Sequence, residues 1–192
     1  MKKLFLLLGI MIASTCAFAQ HAPGSLTLQP RVGVSAADFS NTDDTKARVG
    51  LVAGAEFEYT VANRFSISAG LNYSQQGAEQ DKLDVKYKID YLNIPILANF
   101  YLVKGLAIKA GIQPGVNLSG KIDAGKAKVD FDDAVKSFDL SIPVGLSYEF
   151  FNVVIDARYN FGVTKIFNLD KVDLDSKNLA FQLTLGYKFT LF

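Results

Sequence analysis

The chain has 192 residues, of which 49% are hydrophobic and 20% are charged. This composition excludes an intrinsically disordered chain. A transmembrane helix needs about 18 consecutive apolar residues, and the longest apolar run, residues 4–13, is too short. The formal net charge of +1 excludes the strong basic field that attracts nucleic acid.

The N-terminal segment has the layout of a bacterial secretory signal peptide. Lys2 and Lys3 precede the apolar core at residues 4–13, and Ala17 and Ala19 on either side of Phe18 form the small-x-small pattern of a cleavage site. We therefore predict that residues 1–19 are removed and that residues 20–192 form one domain. Two alternatives are an uncleaved anchor helix and a lipid attached to Cys16.

Cleavage would change the composition in two ways. Cys16 is the only cysteine, so the mature chain would have no disulfide and no thiol chemistry. Lys2 and Lys3 would also leave, so 18 basic residues would face 19 acidic ones, a net charge of −1. We expect no nucleic-acid partner for a chain with so little net charge.

The rest of the chain alternates apolar and polar residues with a period of two, which predicts β-strands. Apolar side chains occupy one parity of each run and glycine, serine, amide or charged residues occupy the other. The eight runs cover residues 25–36, 48–59, 65–74, 91–102, 106–118, 138–150, 153–161 and 178–191.

The links between the runs alternate in length. Tight turns are predicted near residues 62–63, 104–105 and 151–152. The other links, at residues 37–47, 76–86, 119–137 and 163–177, are long and rich in Asp, Lys, Gly and Asn. Short turns at one end and long polar links at the other predict an all-β, eight-stranded, antiparallel up-and-down transmembrane β-barrel.

The two strand faces indicate which side meets lipid. The apolar parity is continuous and nearly free of charge, as a lipid-facing band must be, whereas small residues and charges of both signs suit a crowded interior. Aromatic residues gather near both strand ends, where rings prefer the membrane interfaces: Tyr59, Phe65, Phe100, Phe150, Phe189 and Phe192 at one end, and Tyr73, Phe138, Tyr159 and Phe161 at the other. The alternative is a soluble barrel with the apolar parity inside.

Four prolines are unfavourable for regular strand pairing, because proline lacks the backbone N–H that a paired strand donates. Pro30, Pro95, Pro114 and Pro143 all fall within predicted strands. We expect bulges or strand ends at these positions, with Pro95 and Pro143 as the bulge sites.

The last strand must pair with the first, because an open edge in lipid leaves backbone groups unsatisfied. Its sequence also resembles the C-terminal signal that outer-membrane barrels present to their assembly machinery. The signal residues would be Thr184, Gly186, Phe189, Leu191 and Phe192.

Several blocks of the sequence resemble the small outer-membrane β-barrel proteins of Bacteroidetes. They are "FSISAGLNYSQQG", "YLNIPILANFYL", "AIKAGIQPGV" and "DARYNFGVTKIFN". Members are described as porin-like or PorT-like and are similar in shape to OmpX- and OmpA-type barrels. The resemblance implies location in the outer membrane, contact with its lipid and lipopolysaccharide, and folding by the barrel-assembly machinery as a monomer. It does not establish transport.

The predicted interior holds many charged residues. They are Arg31, Arg48, Glu56, Glu58, Lys109, Asp139, Glu149, Asp156, Arg158 and Lys188. Buried charges must be paired, so we interpret this set as a structural plug that fills a narrow lumen. The alternative interpretation is a gated ion path.

We find no catalytic, cofactor or metal site in the sequence. The only histidine, His21, lies outside the predicted barrel, so a histidine-based triad is excluded. Aspartate clusters at Asp43–Asp44, Asp130–Asp132–Asp133 and Asp170–Asp173–Asp175 match no calcium loop and lie near lysines. The expected role is structural or interactive at the cell surface; the alternatives are a small solute channel and a component of a protein-export machine.

Overall fold

The structure is a computed structural model that describes residues 22–40, 45–80, 85–124, 127–130, 137–165 and 177–192. These residues are almost entirely β-structure. The strands are β1 (Leu26–Phe39), β2 (Thr45–Ala62), β3 (Phe65–Gln80), β4 (Val85–Asn93), β5 (Ile96–Val103), β6 (Leu106–Ala124), β7 (Ala127–Asp130), β8 (Phe138–Phe150), β9 (Val153–Lys165), β10 (Lys177–Tyr187) and β11 (Phe189–Thr190). The described part of the chain contains no helix of the length and apolarity required to cross a membrane.

The strands close into a ring of eight positions, all antiparallel. Strands β4 and β5 share one position between β3 and β6, and β10 and β11 share the last position between β9 and β1. Strand β7 pairs with the end of β6. Each remaining strand pairs with the next along the chain, which confirms the predicted eight-stranded up-and-down architecture.

The barrel is polar inside and apolar outside, the reverse of a water-soluble protein. Large apolar side chains on the outer face are about half exposed, for example Leu146 at 51% and Leu185 at 53%. Charged side chains on the opposite parity are buried, with Asp156 at 0% and Arg158 at 1%. Because period-two alternation sends neighbouring residues to opposite faces, the same sequence pattern produces both surfaces.

Three tight turns join strands at one end of the barrel. They lie at residues 63–64, 104–105 and 151–152. Both Phe151 and Asn152 have positive φ, as a two-residue hairpin turn of type I′ requires. In the turn at 104–105, Gly105 has φ +81°, a conformation that favours glycine. The predicted tight turns are therefore present, and this end is called the short-turn end below.

At the opposite end, called the long-link end, the predicted boundaries were wrong, because strands extend well into the expected links. Strand β2 has 18 residues and β6 has 19, whereas about 9–11 suffice to cross a bilayer. Charged residues are frequent in these extensions, and backbone pairing continues through them. Opposite charges take facing register positions, as in Lys46 with Glu79, an arrangement that stabilises strand pairs.

The prolines are accommodated in different ways. Pro95 lies in a break between β4 and β5, where Ile94 N donates to Pro114 O at 2.8 Å and Gly70 N donates to Pro95 O at 3.1 Å. The bulge expected at Pro143 is wrong, because β8 keeps a single register with β6 and β9 on both sides of it. The paired positions of β6 and β8 stop at Val144 and resume at Ser141, because the proline has no N–H to donate there.

Pro30 lies at the seam where the first strand meets the last. It pairs with Ala55 of β2, but the paired positions with β10 and β11 stop on either side of it. Opposite this interruption, Lys188 N donates to Asn152 O at 2.7 Å. The seam therefore keeps one register while losing bonds at the proline.

The aromatic residues lie mainly on the outer surface. Tyr59, Phe100, Phe150 and Phe189 are 44–50% exposed at the short-turn end. Near the long-link end, Phe138 and Phe161 are similarly exposed. Of the predicted set, Phe65 and Tyr73 are only half-buried rather than exposed. The rings therefore occupy both ends of the outer wall.

Candidate functional site in the barrel interior

The strand faces bring the predicted inward residues together inside the barrel. Each of these side chains is at most 8% exposed: Arg31, Arg48, Glu56, Glu58, Lys109, Asp139, Glu149, Asp156, Arg158 and Lys188. They come from β1, β2, β6, β8 and β9 and from the break between β10 and β11. The interior is therefore the one place in the described structure where chemistry-bearing side chains converge.

Glu56 on β2 is bound by two guanidinium groups. Arg31 Nη1 lies 2.6 Å from Glu56 Oε1. Arg158, from the opposite part of the chain, donates from Nη1 to Oε1 at 2.6 Å and from Nη2 to Oε2 at 2.8 Å. The second arrangement is bidentate, which gives strong and directional binding.

Asp156 on β9 joins the same group of charges. Its Oδ1 lies 2.7 Å from Arg158 Nε and 3.3 Å from Arg31 Nη2. Its Oδ2 lies 2.9 Å from Lys109 Nζ on β6. We call these residues the middle network: Arg31, Glu56, Lys109, Asp156 and Arg158. The network links β1, β2, β6 and β9 across the lumen.

A second group lies nearer the tight turns, and we call it the short-turn network: Glu58, Tyr101, Glu149 and Lys188. Lys188 Nζ is 2.9 Å from Glu58 Oε2 and 2.8 Å from Glu149 Oε2, and it donates to Tyr101 Oη at 3.0 Å. The Tyr101 hydroxyl donates to Glu58 Oε1, and Ser66 Oγ donates to the same oxygen at 2.6 Å.

The charges of the two networks balance. The middle network has three cations and two carboxylates, and the short-turn network has one cation and two carboxylates. Together they are formally neutral. Desolvating a charge costs several kcal/mol unless partners and hydrogen bonds compensate it. Ion pairing across the lumen therefore compensates the desolvation cost of these buried charges.

The interior beyond the middle network, toward the long-link end, is mostly neutral, and we call it the amide region. It contains Ser35, Ser74, Gln76, Asn93, Asn160 and Asn178, all buried. Ser74 Oγ accepts from Asn93 Nδ2 at 2.8 Å and from Gln76 Nε2 at 2.6 Å. Asn178 Nδ2 donates to Gln76 Oε1. Neutral hydrogen bonds thus replace ion pairs in this region.

Several polar atoms of the amide region have no hydrogen-bond partner among the described residues. They include Ser35 Oγ, Asn178 Oδ1 and both Nδ2 and Oδ1 of Asn160. Ser35 is 0% exposed and Asn160 is 3% exposed. Buried polar groups are normally bonded, so these atoms require an explanation.

Arg48 and Asp139 lie apart from both networks. Arg48 Nη1 donates to the backbone oxygen of Gln76, and Asp139 Oδ1 accepts from Thr164 Oγ1 at 2.8 Å. Neither residue has an ion-pair partner within the ranges that the structure describes. The two residues take the inward parity, but the structure does not include them in a cross-lumen ion pair.

The sequence analysis missed several interior residues. Tyr101, which bridges Glu58 and Lys188, is the most important of them. It has the parity opposite to Phe100, so strict application of the period-two rule to β5 would have placed it inside. Large apolar residues also point inward, among them Ile89, Tyr91 and Leu97. The sequence analysis did not place these three residues on either face.

The residues of the proposed assembly signal lie on both faces of the last ring position. Thr184 is buried, and its Oγ1 accepts from Arg31 Nη2 at 2.6 Å. Phe189 and Leu191 are 50% and 49% exposed on the outer face, and Phe192 is 73% exposed. A row of exposed apolar side chains is thus available along this strand.

Other predicted features lie outside the described residues. These are the signal segment 1–19, His21 and most of the aspartate clusters: Asp43, Asp44, Asp132, Asp133, Asp170, Asp173 and Asp175. Within the described ranges, no group of three His, Cys, Asp or Glu side chains is arranged to hold a metal ion.

Comparison with known proteins gives a family and a fold. A family model described as "Outer membrane protein beta-barrel domain" matches residues 18–168. Comparison with curated protein sequences gives no match.

Two solved structures have a similar fold. Ail, the attachment invasion locus protein of Yersinia pestis, has a TM-score of 0.53 and 17% identity, with 86% of this chain and 99% of Ail covered. Neisserial surface protein A has a TM-score of 0.54 and 16% identity, with 86% and 97% covered. At this identity, the likeness shows the fold alone.

Proposed function

The chain belongs to the outer membrane protein β-barrel domain family, and from this premise we propose that it is a structural or surface-interacting barrel with a plugged lumen. One observation carries the proposal: the two charged networks span the lumen and sum to zero charge. An ion path needs mobile ions and vacant binding positions. Here the carboxylates and cations bind one another at 2.6–3.3 Å.

The outer wall supports a surface role. The strands at the long-link end continue beyond the length that a bilayer needs. Lys46, Glu79 and Lys88 lie on these extensions, so charged residues continue past the apolar band. The two proteins with similar folds are described as an attachment protein and a surface protein. We propose that this end faces the exterior and provides the interaction surface.

The more specific parts of this proposal come from the sequence, either from its residues or from its resemblance to known barrels. They are the cleaved signal peptide, membership of the PorT-like barrels of Bacteroidetes, the monomeric state, contact with lipopolysaccharide, and recognition of Thr184, Gly186, Phe189, Leu191 and Phe192 by the assembly machinery. The exposed apolar side chains of Phe189, Leu191 and Phe192 support the last of these.

Single-channel recording in planar bilayers tests the plug. The purified protein should give no steady conductance, whereas a double variant Arg31→Ala, Arg158→Ala, which empties the middle network of two long side chains, should conduct. Heat-modifiable migration on gels serves as the control that both proteins are folded barrels. Steady conductance from the unaltered protein would overturn the plug and support the solute channel.

Crosslinking in intact outer membranes tests the surface role against the export role. A cysteine introduced at the exposed Ser137 near the long-link end should give adducts with external ligands or neighbouring surface molecules. The matched cysteine at Asn63, in a short turn, should not. Stable adducts of both variants with secretion components would instead favour the export machine.

A further inference from the structure

An open apolar groove lies on the outer wall of the hairpin formed by β5 and β6. It arises because Ala98 of β5 and Ala110 of β6 occupy directly opposite positions on the outward face. Val144 of β8 lies opposite Ala110 on the other side, and the larger Ile108 and Leu146 also line the groove. The groove has a volume of about 380 Å³ and faces the same side as the apolar band. It therefore suits a hydrocarbon chain.

Two exposed cations lie at the short-turn end of the same side of the barrel. Lys104 lies in the turn of the β5–β6 hairpin, and Arg64 lies in the turn between β2 and β3. The two turns are neighbours, because Tyr101 N donates to Arg64 O at 2.9 Å. Neither cation has an ion-pair partner among the residues that the structure describes. The acidic side chains of this end, Glu58 and Glu149, are buried in the short-turn network.

The groove and the cations are separated by the depth of one membrane leaflet. Lys104 is six positions after Ala98 in the chain. At ~3.3 Å per residue and a tilt of ~40°, this spacing is about 15 Å along the barrel axis. Half of the ~30 Å hydrocarbon core is also about 15 Å. A lipid whose head group lies at Lys104 would therefore have an acyl chain that reaches Ala98 and Ala110.

A second groove on the outer wall lacks such cations. It lies at the seam beside Pro30 and Ala53 and has a volume of about 530 Å³. Val153 also lines it, and the turn just before Val153 consists of Phe151 and Asn152, neither of which is charged. The two grooves are alike in their apolar character and differ in the charge at their short-turn end. The seam groove is therefore an internal control.

We propose that the groove at Ala98 and Ala110 and the cations Arg64 and Lys104 form one binding site for an anionic phospholipid. The phosphate oxygens accept hydrogen bonds from the guanidinium and ammonium groups, while an acyl chain lies in the groove. An anionic head group is favoured over a zwitterionic one, because no exposed acidic side chain of the described rim would bind the ammonium of the latter. Assignment of this lipid to the periplasmic leaflet rests on the proposed function, in which the long-link end faces the exterior.

Native mass spectrometry of the purified protein in micelles with equal amounts of phosphatidylglycerol and phosphatidylcholine tests the site. Adducts with phosphatidylglycerol should exceed those with phosphatidylcholine by at least about fivefold, as expected for a basic residue near an anionic lipid surface. The double variant Arg64→Gln, Lys104→Gln should lose this preference. The matched control Lys46→Gln, Lys121→Gln, which removes two exposed cations from the long-link end, should keep it. Equal adducts of the two lipids with the unaltered protein, or an unchanged preference in the first double variant, would overturn the site.

Substitutions in the two grooves test the place of the acyl chain. Ala110→Phe fills the groove and should lower the retention of phosphatidylglycerol several-fold, whereas Ala53→Phe in the seam groove should leave it unchanged. Heat-modifiable migration on gels shows whether each variant is a folded barrel, and Ala98→Leu replaces Ala110→Phe if the latter is not. Equal retention of the lipid in both grooves' variants would overturn the claim that groove and cations act as one site.

The lipid preference is measured in micelles and does not depend on which end of the barrel faces the exterior. Crosslinking of the cysteine variants at Ser137 and Asn63 reports separately on that orientation. Failure of the lipid site and failure of the proposed function are therefore distinguishable.

Discussion

The interior of this barrel has two parts in which buried polar side chains find their bonding partners in different ways. Toward the short turns, charged side chains are numerous and each bonds to partners on other strands, as Glu56 does with Arg31 and Arg158. Toward the long links, neutral amides and hydroxyls predominate and bond to one another, as Asn93 does with Ser74. Ion pairs join the strands in the first part, and neutral hydrogen bonds join them in the second.

The difference shows what sets the cost of a polar interior. A buried ion without a partner costs far more than a buried amide without one. Removal of one partner should therefore lower stability more in the charged part than in the neutral part. We expect the loss of unfolding free energy on mutation to be largest in the two charged networks and to become smaller along the barrel axis toward the amide region.

The largest effect is expected for Glu56→Ala. Its removal leaves Arg31 and Arg158 buried with less compensation, which should lower the free energy of unfolding by about 3–5 kcal/mol. Urea unfolding in detergent micelles, followed by circular dichroism because the chain has no tryptophan, measures it. In a double variant Glu56→Leu, Arg158→Leu the loss should be smaller than the sum of the two single losses; strict additivity would contradict the pairing.

A smaller loss is expected for Tyr101→Phe in the short-turn network. The variant keeps the ring but removes the hydroxyl that donates to Glu58 and accepts from Lys188. Loss of a hydrogen bond to a charged group should cost about 1.5–3 kcal/mol in the same unfolding assay. The control is Tyr187→Phe on the outer wall, where the ring is 45% exposed; equal losses in both variants would contradict the network.

A still smaller loss is expected for Asn93→Ala in the amide region. The side chain donates one neutral hydrogen bond, to Ser74 Oγ at 2.8 Å, so the cost should be about 0.5–1.5 kcal/mol. A thermodynamic cycle with Ser74→Ala isolates that bond. A loss of stability as large as that of Glu56→Ala would contradict the expectation that substitutions cost less in the amide region than in the charged networks.

The smallest effect is expected for Asn160→Leu. The side chain has similar size and loses no bond to any described residue, so the free energy of unfolding should change by less than about 1 kcal/mol. The matched control is Asn72→Leu, which breaks the bond from Asn72 Nδ2 to Glu56 Oε1 at 3.2 Å. A larger loss of stability for Asn160→Leu than for Asn72→Leu would contradict the stated difference between the amide region and the charged networks.

The sequence was sufficient to predict the strands and the faces, because period-two alternation fixes both. It placed Arg31, Glu56 and Arg158 inside without any structural information. It did not predict their partners: Arg31 pairs by register with Gly54, yet its guanidinium reaches Glu56, two residues along β2. Such diagonal and cross-lumen contacts depend on strand tilt and shear, which a single sequence does not specify.

The strand boundaries at the long-link end could not be predicted from the sequence either. The stretches around Lys46 and Glu79 are rich in polar and charged residues, so their composition predicted links, whereas backbone pairing between β2 and β3 continues. Likewise, the sequence predicted a bulge in β8 at Pro143. Continuous pairing of β8 with β9 on the other side keeps the register there instead.

The charged networks have a consequence for biogenesis. Glu56 lies on β2 and Arg158 on β9, 102 residues apart in the chain, so their bidentate bond forms only when both strands are in place. Before that point Glu56 has Arg31 of the adjacent strand as its partner, and Arg158 has Asp156 of its own strand. Closure of the ring therefore joins two charge pairs, each formed by local strands, into one network across the lumen.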